Sequence, residues 1–550
     1  MDLAKFWLER CKASHATCES VRDRGWRPSR LLHWSSALEE SLVLHLAEEE
    51  DYDYDVPYLT LSHRWQEHEQ VNLQTFNSHS LRERVDFHQL KAAIQDALKF
   101  AQYLGYNYLC TFVFVPSISL NYILPNVLAG VDLLCILQND AKDRSEHIAQ
   151  MHKVYSNSNC NIAASDAANA SEGCFYAHDE QSVQPFLVRL DDDSSDEARH
   201  IIRPSRTDTR AVLQKCLLSE RAWVLQERVL APRTVHCCRT QLYWECRAGE
   251  ASETWPNLVT SAASDGDARS FTLNSIFSDN MRSSLGGDAI HRAIWHQLVQ
   301  DFCRRNLTYP EDKLRAFEGI SEAWRSMHGG EYLFGLWRDR LPGDLLWGSR
   351  GHEGLASIAH DQFIAPSWSW ASADGPYRPP TYSEHGHFVV TVENIQKVPK
   401  DSLDSVLSSG EGTTSGKCES ASLYLHGHVA QLRCFEHKKG VFVLAPCTDE
   451  DHAPSEDWDT LVYEHSGKDI LLDNSTQPPP DVVTCLPIWC SDEHDDILGL
   501  VLTPSPGNHA QFQRLGIFEV HNPARRSPSS RLARVTTLLL DRTESTIAIV

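Results

Sequence analysis

Three groups of residues in this 550-residue chain have types and spacings that could do chemistry. In the run WVLQE, Trp223 and Glu227 stand four residues apart, which on a helix puts an aromatic ring and a carboxylate on one face. Near the start, Cys11, His15 and Cys18 offer sulfur and nitrogen donors of the kind that hold zinc, an ion that takes four such ligands. Only three lie together and no fourth is evident along the chain, so they read as buried thiols; Cys485, Cys490 and His494 form a weaker set of the same type. The adjacent Cys237 and Cys238 point to opposite faces of a strand and favour no disulfide. The third group sits where strands end: Ser62, His63 and Arg64 follow the apolar Tyr58, Leu59 and Leu61, and Asp132 lies close to a second apolar run.

The elements that must position these residues belong to a soluble, multidomain chain. Its length exceeds one ordinary core and predicts two to four domains. With 51 basic against 75 acidic residues, the net charge of -24 repels phosphate backbones and anionic lipid surfaces. The densest basic run, Arg525, Arg526, Arg531 and Arg534, lies in a Ser/Pro-rich stretch that reads as a solvated loop, so neither nucleic acid nor membrane is expected as a partner. Sixteen cysteines are spread without small-scaffold spacing, and Asp2, Lys5, Glu9, Arg10 and Lys12 break any apolar core of a secretory signal; a reducing, cytoplasmic setting follows.

Residues 1–50 read as a mostly helical segment, and EEEDYDYD (48–55) as an acidic linker. The run 57–65 predicts a strand. FHQLKAAIQDALKFAQYLG (87–105) predicts an amphipathic helix stopped by Gly105, and a helix through about Tyr155 precedes the strand from Cys160 to Ala164. Ser219 is the expected N-cap of a helix beginning at Trp223 and ended by Pro232, with a strand from Gln241 to Cys246 after it. This β-α-β-α-β order predicts an open α/β sheet, where ligands bind beyond the carboxyl ends of the strands; that places Ser62, Arg64 and Asp132 on the functional edge. Residues 251–382 read as a helical region containing the aromatic PSWSW (366–370), fit either for a binding surface or for packing. Residues 383–550 read as β-rich, with SSGEGTTSGKCES (408–420) as a flexible loop.

The blocks YLTLSHRWQ, LGYNYL, VDLLCILQND, MHKVYSNSNCNIAASDAANASEGCF, RAWVLQERVLAPRTVH and YWEC resemble, in that order, the heterokaryon incompatibility (HET) domain of filamentous fungi. Flanking blocks extend the resemblance over roughly residues 5–375, with the domain itself at 56–250. The resemblance implies a cytoplasmic trigger of programmed cell death in non-self recognition, acting by self-association or with an incompatibility partner protein. It also implies a distant likeness to Toll/interleukin-1 receptor (TIR) domains, and hence a mainly parallel TIR/flavodoxin-like sheet. Some TIR domains cleave NAD with one glutamate, and WVLQE is similar to the W-x-x-x-E pattern around it. On that resemblance Glu227 is the expected catalytic carboxylate. Ser62, Arg64, Trp65, Asp132 and Trp223 are the substrate-binding candidates, and NAD is a substrate rather than a cofactor, with no metal required. Cleaving the ribose–nicotinamide bond builds positive charge on the sugar, which one carboxylate can stabilise while a ring stacks and turn donors hold ribose or phosphate oxygens. The plainer reading gives Glu227 a capping or ion-pairing role beside Arg221, Arg228 and Arg233, and Trp223 a place in the core.

One stretch does not fit this pattern. Between Lys99 and Asp132 no residue is charged, although 23% of the chain is. Pro116, Ser117, Asn121, Pro125 and Asn126 interrupt any membrane span. In the family, LGYNYL runs directly into a Trp and then VDLLCILQND, whereas here residues 111–130 intervene. This insertion reads as a translated intron: removing it between a TGT codon at Cys110 and a GGG codon at Gly130 would restore TGG, the expected Trp.

Overall fold

The computed structural model describes residues 1–19, 23–35, 43–64, 72–111, 134–178, 183–184, 186–189, 199–202, 209–257, 259–260, 276, 288–349, 364–399, 418–438, 441–446, 470–472, 479–492, 496–521, 539–540 and 544–550. Trp65, Asp132, His494, the basic run at 525–534, most of the 408–420 loop and all but Thr111 of the expected insertion lie outside the described residues. The chain divides into two compact units. The first comprises Met1–Ile294, Arg305–Thr308 and Gly319–Met327; the second comprises Trp295–Arg304, Tyr309–Glu318 and His328–Val550. Among the described residues no helix is long and apolar enough to cross a membrane.

The first unit is built on a nine-stranded sheet. Its strands are β1 (Arg30–Ser35), β2 (Val43–Glu48), β3 (Leu59–Ser62), β4 (Tyr108–Thr111), β5 (Cys160–Ala163), β8 (Arg233–Cys237), β9 (Leu242–Cys246), β10 (Gly249–Ser252) and β11 (Val259–Thr260); β6 (Phe186–Arg189) and β7 (Arg199–Ile202) form a separate hairpin. The spatial order is β11-β10-β9-β8-β5-β3-β4-β1-β2. Only β4–β3, β3–β5 and β5–β8 pair in parallel, and every other neighbour pair is antiparallel. The expected mainly parallel sheet is therefore corrected to a parallel core between two antiparallel flanks. The core strands are buried along their whole length or nearly so, as strands covered on both faces must be.

Helices α1 (Asp2–Ser14), α2 (Ser78–Glu83), α3 (Ala92–Tyr103), α4 (Ala141–Asn157), α5 (Thr209–Gln214) and α6 (Trp223–Leu230) accompany this sheet, and α7 (Asp288–Cys303) and α8 (Arg315–His328) supply the helical middle of the chain. Helix α3 packs on β3 and β4 through Ala93, Ile94, Ala97, Leu98 and Ala101, the face its periodicity predicts, and Gly105 ends that segment at φ +83°. Asp140 caps α4 by accepting hydrogen bonds from the backbone N–H groups of Lys142 and Asp143.

Two expectations for the first fifty residues are corrected. Beyond α1 the segment is β, because Leu32 and Trp34 enter one core while Leu31 and Ala47 enter another, the two-faced alternation of a strand. The acidic run is not a free linker: Glu48 and Asp51 cap one another, and the buried Tyr52 hydroxyl donates to the Pro28 carbonyl at 2.6 Å. Helix α6 also starts differently from its expected cap. Ser219 lies in a 3-10 turn over Leu217–Glu220, and Ala222 occupies the N-cap position without a side-chain bond.

The second unit carries a ten-stranded antiparallel-rich sheet. Its main path runs Val390–Pro399, Cys418–His428, Glu544–Ile549, Asn508–His521, Asp496–Ser505, Val482–Ser491, Ala430–Lys438 and Val441–Pro446. The first two of these also approach Val482–Ser491, so the sheet curls into a nearly closed, barrel-like form. The strand beginning at Cys418 replaces the last residues of the expected 408–420 loop. PSWSW belongs to this unit's interior: Trp368 and Trp370 are buried, and the Trp370 indole donates to the Gly335 carbonyl at 2.8 Å. Trp295, Phe302, Phe317 and Trp370 meet edge to face at 5.1–5.5 Å between successive phenylalanine and tryptophan rings, so packing accounts for the motif.

Candidate active site

In chain order the four parallel strands lie as second, first, third, fourth. The connection leaving β3 toward β4 and the one leaving β5 toward β8 therefore run to opposite sides, and the crevice beyond the carboxyl ends of β3 and β5 is the switch point where open α/β sheets bind ligands. Ser62 ends β3 directly beside Ala163 of β5, with His63 and Arg64 following. Helix α6 packs against α4 and brings Glu227 to this end of the sheet.

Glu227 is only 2% exposed and is held on several sides. The Tyr155 hydroxyl, from α4, donates to Glu227 Oε2 at 3.0 Å, and Ser62 also hydrogen-bonds the carboxylate. Asn161 orients Ser62: its amide Nδ2 donates to Ser62 Oγ at 3.0 Å, while Thr60 donates to its Oδ1 at 3.0 Å. The Ser62 Oγ also lies 3.2 Å from Asn161 Oδ1, an amide oxygen able to accept from both hydroxyls, so Ser62 is shared between Asn161 and Glu227. Burial is the largest influence on Glu227 and pushes its pKa up; the positive charge of Arg221 and the hydrogen bonds from Ser62 and Tyr155 oppose it without cancelling it. Arg221 is itself anchored by donating to the His63 carbonyl at 2.9 Å, while Ala222 N–H donates to the Asn306 carbonyl at 3.0 Å.

The predicted residues do not all converge. Ser62 and Glu227 meet. Arg64 instead donates to the Leu217 carbonyl at 3.0 Å and pairs with the exposed Glu220 at 2.9 Å, a contact at the rim. Trp223 is buried at the first turn of α6, as the core reading has it. Of the three arginines considered as partners for Glu227, only Arg221 serves. Arg228 forms a two-pronged pair with Glu245 at 2.7 and 2.6 Å, which also meets His236 at 2.9 Å, and Arg233 contacts Glu19, Cys11 and the Asn159 carbonyl. Tyr155 and Asn161 were not assigned from sequence. Both fall within MHKVYSNSNCNIAAS, and an asparagine in the middle of a fully buried strand is the signal that could have marked the second.

Among the described residues, two clusters contain metal-ligating atoms. Asp166, Cys216 and Cys238 form one of them. In the other, the fold brings Cys246 to Cys11, His15 and Cys18, with all four donor atoms within 4.8 Å of one another. Cys237 and Cys238 face different partners, the latter 3.7 Å from Cys216, as their opposite orientations predict.

The family model described as "Heterokaryon incompatibility protein (HET)" matches residues 125–227, a span that ends on Glu227. No curated protein and no solved structure matches the chain.

Proposed function

From the premise that this chain carries a heterokaryon incompatibility (HET) domain, we propose that it is an effector of fungal non-self recognition that starts programmed cell death, and that cleavage of NAD at Glu227 is its chemistry. Self-association or an incompatibility partner protein would bring it into action. The observation that carries the chemical reading is the meeting of Glu227 with Ser62, Tyr155 and Arg221 beside the β3–β5 switch point.

In this reading water replaces nicotinamide on the ribose, giving ADP-ribose, nicotinamide and a proton. The ionised Glu227 stabilises the positive charge that develops as the ribose–nicotinamide bond breaks, Arg221 favours that ionised form, and Ser62 and Tyr155 fix the carboxylate's orientation. Because burial raises the pKa of Glu227, activity should fall on acidification at a higher pH than for an ordinary carboxylate. One observation favours a second reading, a non-catalytic signalling module: Glu227, Ser62 and Tyr155 are each no more than 2% exposed, as in a structural polar network. Nicotinamide release by the purified chain under forced oligomerisation, compared with Glu227→Ala, separates the two. Release that depends on Glu227 supports catalysis, and no release supports the signalling module.

A further inference from the structure

We infer that Cys11, His15, Cys18 and Cys246 form a structural zinc site in the first unit. Three of these residues occupy consecutive turns of chain. Cys11 lies in the last turn of α1, His15 is the residue that ends the helix, and Cys18 closes a 3-10 turn over Ala16–Cys18. Backbone bonds fix this path: His15 N–H donates to the Cys11 carbonyl at 2.9 Å, and Cys18 N–H to the His15 carbonyl at 3.1 Å. The fourth donor comes from far along the sequence, at the last residue of β9. This is why sequence spacing shows three ligands and the fold shows four.

The geometry is that of a four-coordinate ion. Tetrahedral zinc with sulfur at about 2.3 Å and nitrogen at about 2.0–2.1 Å requires donors separated by about 3.5–3.8 Å. Cys246 Sγ lies 3.6 Å from His15 Nδ1, and all four donors fall within 4.8 Å of one another. The three sulfurs also lie within hydrogen-bonding reach of each other, and none is in a disulfide.

Hydrogen-bond donors face the sulfurs, as ligand thiolates require. Three thiolates and one zinc ion leave a net charge of minus one. The guanidinium of Arg233, 0% exposed and also paired with Glu19, donates from Nε to Cys11 Sγ at 3.0 Å and places positive charge beside the cluster. The backbone N–H of Arg247 donates to Cys18. Such N–H donors to ligand sulfur tune and orient metal thiolates. Four protein donors, three of them sulfurs no more than 1% exposed and the fourth the half-buried His15, fill a tetrahedral shell and assign the ion a structural role. Three thiolates with one imidazole favour zinc over magnesium or calcium, which take oxygen ligands. The site would tie α1 to β9 next to Glu245, whose partner Arg228 adjoins Glu227.

The test is elemental analysis and zinc X-ray absorption on the full chain, purified under reducing conditions without chelator. The expected result is one zinc per chain, coordinated by three sulfurs at about 2.3 Å and one nitrogen at about 2.0–2.1 Å. Cys246→Ser should lose the ion, while Cys160→Ser, which alters a buried thiol on β5, separated from β9 by β8, should keep it. Since Cys246→Ser could fail through misfolding, the absorption spectrum of the unmodified chain decides. A metal-free chain, iron in place of zinc, an oxygen-rich shell, or a disulfide among these cysteines overturns the assignment.

Discussion

Replacing Glu245 with Gln isolates the charge that holds the wall behind the candidate site. Glu245 and Arg228 have side chains 1% and 3% exposed, joined by two hydrogen bonds at 2.7 and 2.6 Å. Burial alone would raise the pKa of Glu245, but the positive charge of Arg228 and hydrogen bonds from His236 and Arg228 outweigh it and hold the carboxylate well below its ordinary range. Glutamine keeps the volume and leaves the Arg228 charge buried against a neutral acceptor. Removing one partner of a buried pair costs about 3–5 kcal/mol. A retained neutral hydrogen bond returns about 1 kcal/mol, so the net loss is about 3 kcal/mol, or roughly a hundredfold in an opening equilibrium. Amide hydrogen exchange, read by mass spectrometry on a peptide spanning residues 233–246, should therefore accelerate about a hundredfold where exchange follows the opening equilibrium. The pH dependence has a defined sign. A depressed carboxylate pKa contributes stability that is present above the unfolded value of about 4.3 and is lost as pH falls through the folded value. Protection of the unmodified chain should thus fade below about pH 4, and Glu245→Gln should lack that limb. Arg228→Met combined with Glu245→Leu should recover much of the loss, because no unpaired charge remains. Acceleration of less than about threefold in Glu245→Gln would refute the reasoning, since it corresponds to less than about 0.7 kcal/mol.

Glu227 should behave oppositely. Its pKa is raised chiefly by burial, so its contribution to stability is greatest below the unfolded value of about 4.3 and declines as pH rises through the folded value. Glu227→Gln should consequently be at least as stable as the unmodified chain at pH 7 in urea unfolding, with the difference shrinking toward pH 4. The intron proposal predicts that transcript reads across codons 105–135 predominantly lack the about 60 nucleotides corresponding to the 20 residues 111–130. Reads that mostly retain them would sink it.

The parts of the fold governed by local rules were legible in the sequence. Periodicity located α3, the helix ending near Tyr155 was expected where α4 lies, and apolar runs located β3, β5 and β9. What depends on distant chain segments was not. Strands β1 and β2 join the sheet through the pairing of β1 with β4, more than seventy residues further along the sequence, and nothing local distinguishes LLHW as the outer neighbour of a parallel core. At the candidate site, Glu227 was expected from the resemblance of WVLQE to a W-x-x-x-E pattern and Ser62 from its place at a strand's end. Tyr155 and Arg221 acquire their roles only once α4, α6 and β3 have docked. Cys246 could not be assigned to the Cys11–His15–Cys18 group for the same reason.

Nicotinamide release tests the central claim most directly. It should be measured for the 550-residue chain and for a form in which residues 110–130 are replaced by a single Trp, each under forced oligomerisation and each with Glu227→Gln. NAD-dependent nicotinamide release is expected from at least one form, abolished by Glu227→Gln while urea stability at pH 7 is retained. Absence of release from both forms, or release that survives Glu227→Gln, would contradict it.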